Sequence, residues 1–285
     1  MTTILFWNTN NKQVEAQLGS LIKTYDTDIV ILAECSMDDA AILSKANQDR
    51  PQVLYRVSTN SERLQFFTSL PLDCVTAVAD FHHYTFCRVA PPVGLHFTLA
   101  AVHFPSLRNH EIGDLNHLAI RFARDMEIIE SQMNDTRTVV VGDLNMDPFS
   151  DGLVSGEGLH AVMDRRLAEK RTRIVDGRQR RFLYNPMWNR LGDATEGPPG
   201  TYYYPRSSSL VVFWHTFDQV LLRPELLPEF DDTKLHIPIS VGTHSLATRS
   251  GTPSNKLGSD HFPVIFSLSD NHQKEEDEHG NQPLG

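Results

Sequence analysis

The stretch Thr138–Asp147, TVVVGDLNMD, decides how the rest of this chain is read. Val139, Val140 and Val141 are three β-branched residues in a row. Such a run suits a short strand buried on both faces. Gly142 is expected to end that strand. Asp143 and Asn145 follow with one residue between them, and Pro148 blocks continuation. A buried strand closing in Gly-Asp-x-Asn sets an acceptor-only carboxylate and a neutral amide at a strand mouth, where α/β sites commonly form. The same residues also make a good β-turn, since Gly, Asp and Asn are turn formers. The rest of the chain separates the two readings, because other apolar runs also end in polar residues.

Residues 3–7 form an apolar run that ends at Asn8 and reads as the first strand. Over residues 11–25, Val14, Leu18, Leu21, Ile22 and Tyr25 recur at helical spacing, which predicts a helix with one apolar face. DIVILA at 28–33 is a second buried strand, and it ends at Glu34. Strand, helix and strand make a βαβ-like opening. A second helix is expected over 37–49. From 52 to 104, short runs rich in Val, Phe, Tyr and Thr alternate with turn residues, predicting an antiparallel meander whose last strand delivers His103. Residues 114–133 carry the longest helical pattern. Beyond the GDLN strand, 216–222 reads as a strand containing Asp218. Residues 235–241 are another candidate strand, and 262–268 is the last, preceded by Ser259-Asp260-His261.

The chain has 285 residues, 40% of them hydrophobic, enough for one large core. No repeat or linker divides it, so a single domain over 1–269 is expected. The segment 270–285 has almost no apolar residues and reads as a disordered acidic tail. With 26 basic and 36 acidic residues the net charge is −10. Such a chain does not wrap polyanions with its whole surface, so nucleic acid must be met by a local patch. The candidate is the run 165–181, RRLAEKRTRIVDGRQRR, with eight basic residues against Glu169 and Asp176. It reads equally as a grip on a phosphate backbone or as a solvated face. Tyr202, Tyr203, Tyr204 and Trp214 suit stacking on a base, or simply the core. Cys35, Cys74 and Cys87 show no CxxC spacing, which suits a reducing compartment and argues against a disulfide framework or a thiolate zinc site. The N-terminal MTTILFWNTN lacks the features of a signal peptide, and no run reaches transmembrane length. A cytoplasmic, soluble protein is the expectation; its oligomeric state is left open.

FWN at 6–8, LAE at 32–34, VHF at 102–104, GDLN at 142–145, FDQV at 217–220 and GSDHFPV at 258–264 occur in this order. Together they resemble the endonuclease/exonuclease/phosphatase superfamily, with its deoxyribonuclease I-like fold, over residues 3–268. The resemblance implies a four-layer α/β/β/α sandwich: two packed mixed sheets with helices outside. It also implies a phosphodiesterase that uses Mg²⁺, with Mn²⁺ as the substitute. Glu34 matches the main metal ligand, with Asn8 and Asp260 beside it, and a hard cation prefers such oxygen donors. Asp143 and Asn145 match the residues that align the attacking water and contact the phosphate. His261 matches the histidine facing the scissile phosphate, oriented by Asp218. Whether it acts as base or electrostatic stabiliser stays open, as does the number of metals. In the deoxyribonuclease branch a glutamate matching Glu62 supports the histidine matching His103; in the abasic-site repair branch a tyrosine replaces that histidine. His82 and His83 are adjacent and read as ordinary strand residues.

Nucleic acid is the leading substrate class. The alternatives are a phosphoinositide- or sphingomyelin-type phosphoesterase of the same family and a non-catalytic binding protein with the same fold.

Overall fold

Ile4 and Phe6 face one side of the first strand, Leu5 and Trp7 face the other, and all four are buried. A strand buried on both faces needs a layer on each side, and this requirement organises the fold. The structure is a computed structural model that describes residues 1–106, 111–205 and 211–270. The expected tail therefore lies outside the described residues, apart from Asp270, whose carboxylate meets the N-terminal amine.

The strands of the two large sheets are β1 (Thr2–Asn8), β2 (Ile29–Ala33), β3 (Tyr55–Arg56), β4 (Leu64–Thr68), β5 (Val75–Asp80) and β6 (Tyr84–Val89). They continue with β7 (Phe97–His103), β8 (Thr138–Asp143), β9 (Ala161–Val162), β10 (Leu183–Tyr184), β11 (Asp218–Leu222) and β12 (Val264–Leu268). One sheet has the order β12-β1-β2-β4-β3 and the other β5-β6-β7-β8-β11-β10-β9. Both are mixed: β1–β2 and β7–β8 are parallel, while β12–β1 and β11–β8 are antiparallel. The expected meander is thus split, β3 and β4 joining the first sheet and β5 to β7 the second. Alternation of side chains does not say which sheet a strand joins.

Ile4, Phe6, Ile31 and Phe66 of the first sheet meet Leu99, Val139, Val141 and Val220 of the second in the central core. Helices α1 (Glu15–Thr24) and α2 (Asp39–Ala46) cover the outer face of the first sheet through Leu18, Leu21, Ile22 and Ile42. Helix α3 (Ile112–Met133) covers the second through Leu115, Phe122, Met126 and Ile129. The result is the four-layer α/β/β/α sandwich. Residues 235–241 form only a two-residue strand at Ser240–Val241, while His236 makes a single bridge to Ile265. No helix among the described residues is long and apolar enough to cross a membrane.

Gly142 lies inside β8, not beyond it. Its φ is +146°, and a Cβ there would come 2.0 Å from the Val102 carbonyl oxygen. Only glycine allows β8 to run this close to β7 and still carry Asp143 to the mouth.

Candidate active site

The register fixes the site before any side chain is considered. His103 on β7 and Asp218 on β11 each pair with Asp143 on β8. On the first sheet Asn8 pairs with Ala33, so Glu34 follows at the same edge. Because β12 runs antiparallel to β1, Asp260 and His261 arrive there too. Asn8, Glu34, His103, Asp143, Asn145, Asp218, Asp260 and His261 therefore gather at one end of the sandwich.

Asn8 stands between two acids. Its Nδ2 donates to Glu34 Oε1 at 3.2 Å and to Asp143 Oδ2 at 3.0 Å, and its Oδ1 accepts the Asn10 N–H at 3.0 Å. Glu34 has φ +44°, a conformation costly for this side chain and common at functional sites. His103 Nε2 lies 3.2 Å from Glu34 Oε1. The hydrogen bond from His103, aided by the one from Asn8 and opposed by burial, holds the Glu34 carboxyl down to about 2. Glu34 is thus ionised, and both of these contacts fall on Oε1.

Asp143 is buried, and burial raises its pKa although His261 and His103 favour its charge. Asp143 Oδ1 accepts the Asn145 N–H at 2.9 Å. Asn145, at φ +49°, donates from Nδ2 to the Phe104 carbonyl at 2.8 Å. Across the cleft His261 Nδ1 and Asp218 Oδ2 are 2.8 Å apart. Burial pulls the His261 ring down, but the charge and hydrogen bond of Asp218, with Asp143 and Asp260, push it up to about 10. The Trp7 indole N–H donates to the His261 carbonyl at 2.9 Å, and Ser259 Oγ donates to the Asn8 carbonyl at 2.7 Å. These two bonds tie the segment leading into β12 to β1.

The cleft has a volume of about 330 Å³, and Glu34, Asp143, Asn145, Asp260 and His261 are among its lining residues. The sequence of residues 5–261 matches the model of the Endonuclease/Exonuclease/phosphatase family. The chain belongs to this family.

Solved structures with the family fold align along nearly the whole chain. Truncated TDP2 from Caenorhabditis elegans is 16% identical with a TM-score of 0.53, covering 93% of this chain and 98% of that one. The 3′ phosphatase NExo from Neisseria, bound to a product DNA hairpin, is 14% identical with a TM-score of 0.56, covering 94% and 100%. An AP endonuclease from Archaeoglobus fulgidus is 13% identical with a TM-score of 0.53, covering 94% and 99%. A search of the curated proteins finds no match.

Two carboxylates in this family site fit a hard cation. Among the described residues Glu34 Oε2 takes no hydrogen bond, and Asp260 Oδ1 has only Ser259 Oγ at 3.3 Å, whose proton goes to the nearer Asn8 carbonyl. Both carboxylates line the cleft. Asn8 is turned otherwise, its oxygen toward Asn10 and its amide toward the acids. Asp143, Asp218 and His261 also place one donor atom each within 4.8 Å of one another. Within that group His261 Nδ1 and Asp218 Oδ2 are already joined by a hydrogen bond, while His261 Nε2 lies 4.0 Å from Asp143 Oδ2.

Glu62 does not reach His103. It is exposed, while His103 contacts Glu34, and His103 Nδ1 is buried with no hydrogen-bond partner. The basic run folds into a short helix at Arg165–Ala168 and a hairpin of Thr172–Val175 with Arg178–Arg181. Arg165, Arg180 and Arg181 are ion-paired with Asp232, Glu157 and Glu225. Glu225 follows the far end of β11, so the hairpin sits at the pole opposite the cleft.

A second histidine–carboxylate pair was not anticipated. His215 Nδ1 is 2.8 Å from Asp147 Oδ2, and the Thr216 N–H donates to Asp147 Oδ1 at 2.9 Å. The signal for it was positional. Asp147 follows Asp143 by four residues and His215 precedes Asp218 by three, while Asp143 and Asp218 are register partners.

Proposed function

We propose that this protein is a divalent-metal-dependent phosphodiesterase, with Mg²⁺ the fitting ion, that hydrolyses nucleic acid by direct attack of water. The observation that carries this reading is the convergence of an ionised Glu34, a hydrogen-bonded Asp143–Asn145 pair and the Asp218–His261 dyad in one cleft. That DNA accompanies the Neisseria phosphatase in its structure supports nucleic acid as the substrate class. Glu34 and Asp260 would hold the cation, with Asn8 spacing the acids. The ion would neutralise charge on the phosphoryl oxygens.

The side chains divide the remaining work. His261, a cation at neutral pH, faces developing phosphoryl charge as a stabiliser rather than a base. Asp143 and Asn145 orient the water, and buried Asp143 is the acceptor for its proton. His103 positions Glu34. The far placement of the basic hairpin favours, as a second reading, a small phosphorylated substrate of the same chemistry.

The test is turnover of plasmid, single-stranded DNA, RNA, inositol phosphates and sphingomyelin by wild type and Glu34→Gln, with Mg²⁺ or chelator. Expected is nucleic-acid cleavage that chelator abolishes and Glu34→Gln lowers by orders of magnitude with the fold intact. Unchanged turnover in excess chelator overturns the metal reading.

A further inference from the structure

The cleft holds two imidazoles built in the same way, and the proposed chemistry uses one of them. His261 rests on Asp218 and His215 on Asp147, each through Nδ1 at 2.8 Å. Rings connect them: Tyr202 lies 4.7 Å from His261 and 5.3 Å from Phe217, and Phe217 stacks on His215 at 4.7 Å. His215, Tyr202 and Phe217 all line the cleft.

The hydrogen bonding leaves one atom of this second pair for a ligand. An ionised carboxylate only accepts, so His215 Nδ1 carries the proton toward Asp147. Both oxygens of Asp147 are engaged, one by His215 and the other by the Thr216 N–H. The side chains of His215 and Asp147 are 15% and 12% exposed, so their geometry is packed in place, while Nε2 takes no hydrogen bond among the described residues. Among the described residues lining the cleft, His261 and His215 are the only basic side chains. Tyr202 and Phe217 cannot become cations. Among the described residues of this wall, an anionic group beside the scissile phosphate therefore meets one protonatable partner, His215.

We infer that His215, fixed by Asp147, is a specificity-determining residue that binds a second phosphate of the substrate, next to the one His261 faces, with Tyr202 and Phe217 covering the sugar or base between them. This inference rests on the phosphodiesterase reading for which phosphate is cleaved, but the second-phosphate site is testable by binding alone.

The probes are thymidine 3′,5′-bisphosphate and thymidine 5′-monophosphate, titrated by calorimetry into Glu34→Gln protein with and without His215→Asn. Asparagine keeps a donor for Asp147 and removes Nε2. A charge-assisted hydrogen bond of roughly 1.5–3 kcal/mol corresponds to about 10–100-fold in affinity. Expected is a bisphosphate preference of at least tenfold that His215→Asn abolishes, leaving monophosphate affinity within about twofold. In the otherwise wild-type enzyme, His215→Asn should raise KM for a substrate with a flanking phosphate and spare kcat. Equal affinity for both nucleotides, or an equal loss of both in the variant, overturns the inference. A bisphosphate preference without any hydrolysis by the wild type would overturn the phosphodiesterase reading and leave this site standing. His215→Phe keeps the ring stack without the nitrogen; if it retains the preference, stacking and not the imidazole is responsible, and the inference fails.

Discussion

Asp218→Asn removes one charge beside a buried imidazole and keeps the shape. In the native protein burial pulls His261 down, and Asp218 leads the groups that push it up to about 10 from an ordinary 6.5. The folded state therefore holds a proton that the unfolded chain releases in this window. The stability this contributes is complete below the unfolded value and is lost as pH rises through the folded one. One proton gives a slope of about 1.4 kcal/mol per pH unit, hence about 4–5 kcal/mol over the window. At roughly 2–4 °C per kcal/mol, the melting temperature should move by roughly 8–20 °C. The assay is melting temperature from pH 6 to 10 in chelator for both proteins, read as a difference. Groups away from the dyad, such as the Cys35 thiol that burial raises, are shared and cancel. The wild type should be the more stable near pH 6, and the curves should converge toward pH 10. Turnover at neutral pH should fall about 10²–10³-fold in the variant, the cost of losing one electrostatic stabiliser. Parallel stability curves would refute the reasoning, because they would mean that Asp218 does not hold the proton on His261.

His103→Asn should slow a natural alkoxide substrate and an activated phenolate substrate alike and raise the metal concentration needed, since His103 acts through Glu34. A loss confined to the alkoxide would make His103 the general acid instead. Glu130→Ala strands Arg223, whose Nε and Nη2 donate to Glu130 at 2.8 and 3.0 Å with both side chains buried. It should cost about 3–5 kcal/mol in denaturant unfolding, and a cost under about 1 kcal/mol would mean the pair is dispensable. Arg171, Arg173 and Arg178 are exposed at the far pole, so replacing all three by Gln should leave DNA cleavage and its salt dependence within about twofold. A flattened salt slope would return the hairpin to the nucleic-acid path.

The layered fold was legible wherever burial on both faces left no polar residue in a run. IVILA in β2 and VVV in β8 could only be central strands, and both are. The 52–104 region was legible as strands but not as partners. Val57 to Phe66 pairing and Cys87 to Leu99 pairing belong to different sheets, and a period of two is the same in either. Gly142 was misplaced for a related reason. Glycine commonly ends a strand, and only the approach of the Val102 carbonyl shows why this one is needed within it.

The site was legible to the extent that its residues end strands, because strand ends at one edge of a sandwich must meet. Asn8, Glu34, His103, Asp143 and His261 follow that rule. Glu62 does not, since it precedes β4, which begins at Leu64, and is exposed, while His103 turns to Glu34. The basic run shows the limit more sharply. Charge density along a chain states that a phosphate can be attracted, not where. Residues 178–181 are followed by β10, which pairs Tyr184 with Leu222 at the far end of β11, and that single register places the run a full strand length from Asp218. The same β11, read from its other end, brings His215 to Asp147. Strand direction, invisible in composition, thus set the basic run at one pole and an imidazole beside the cleft at the other.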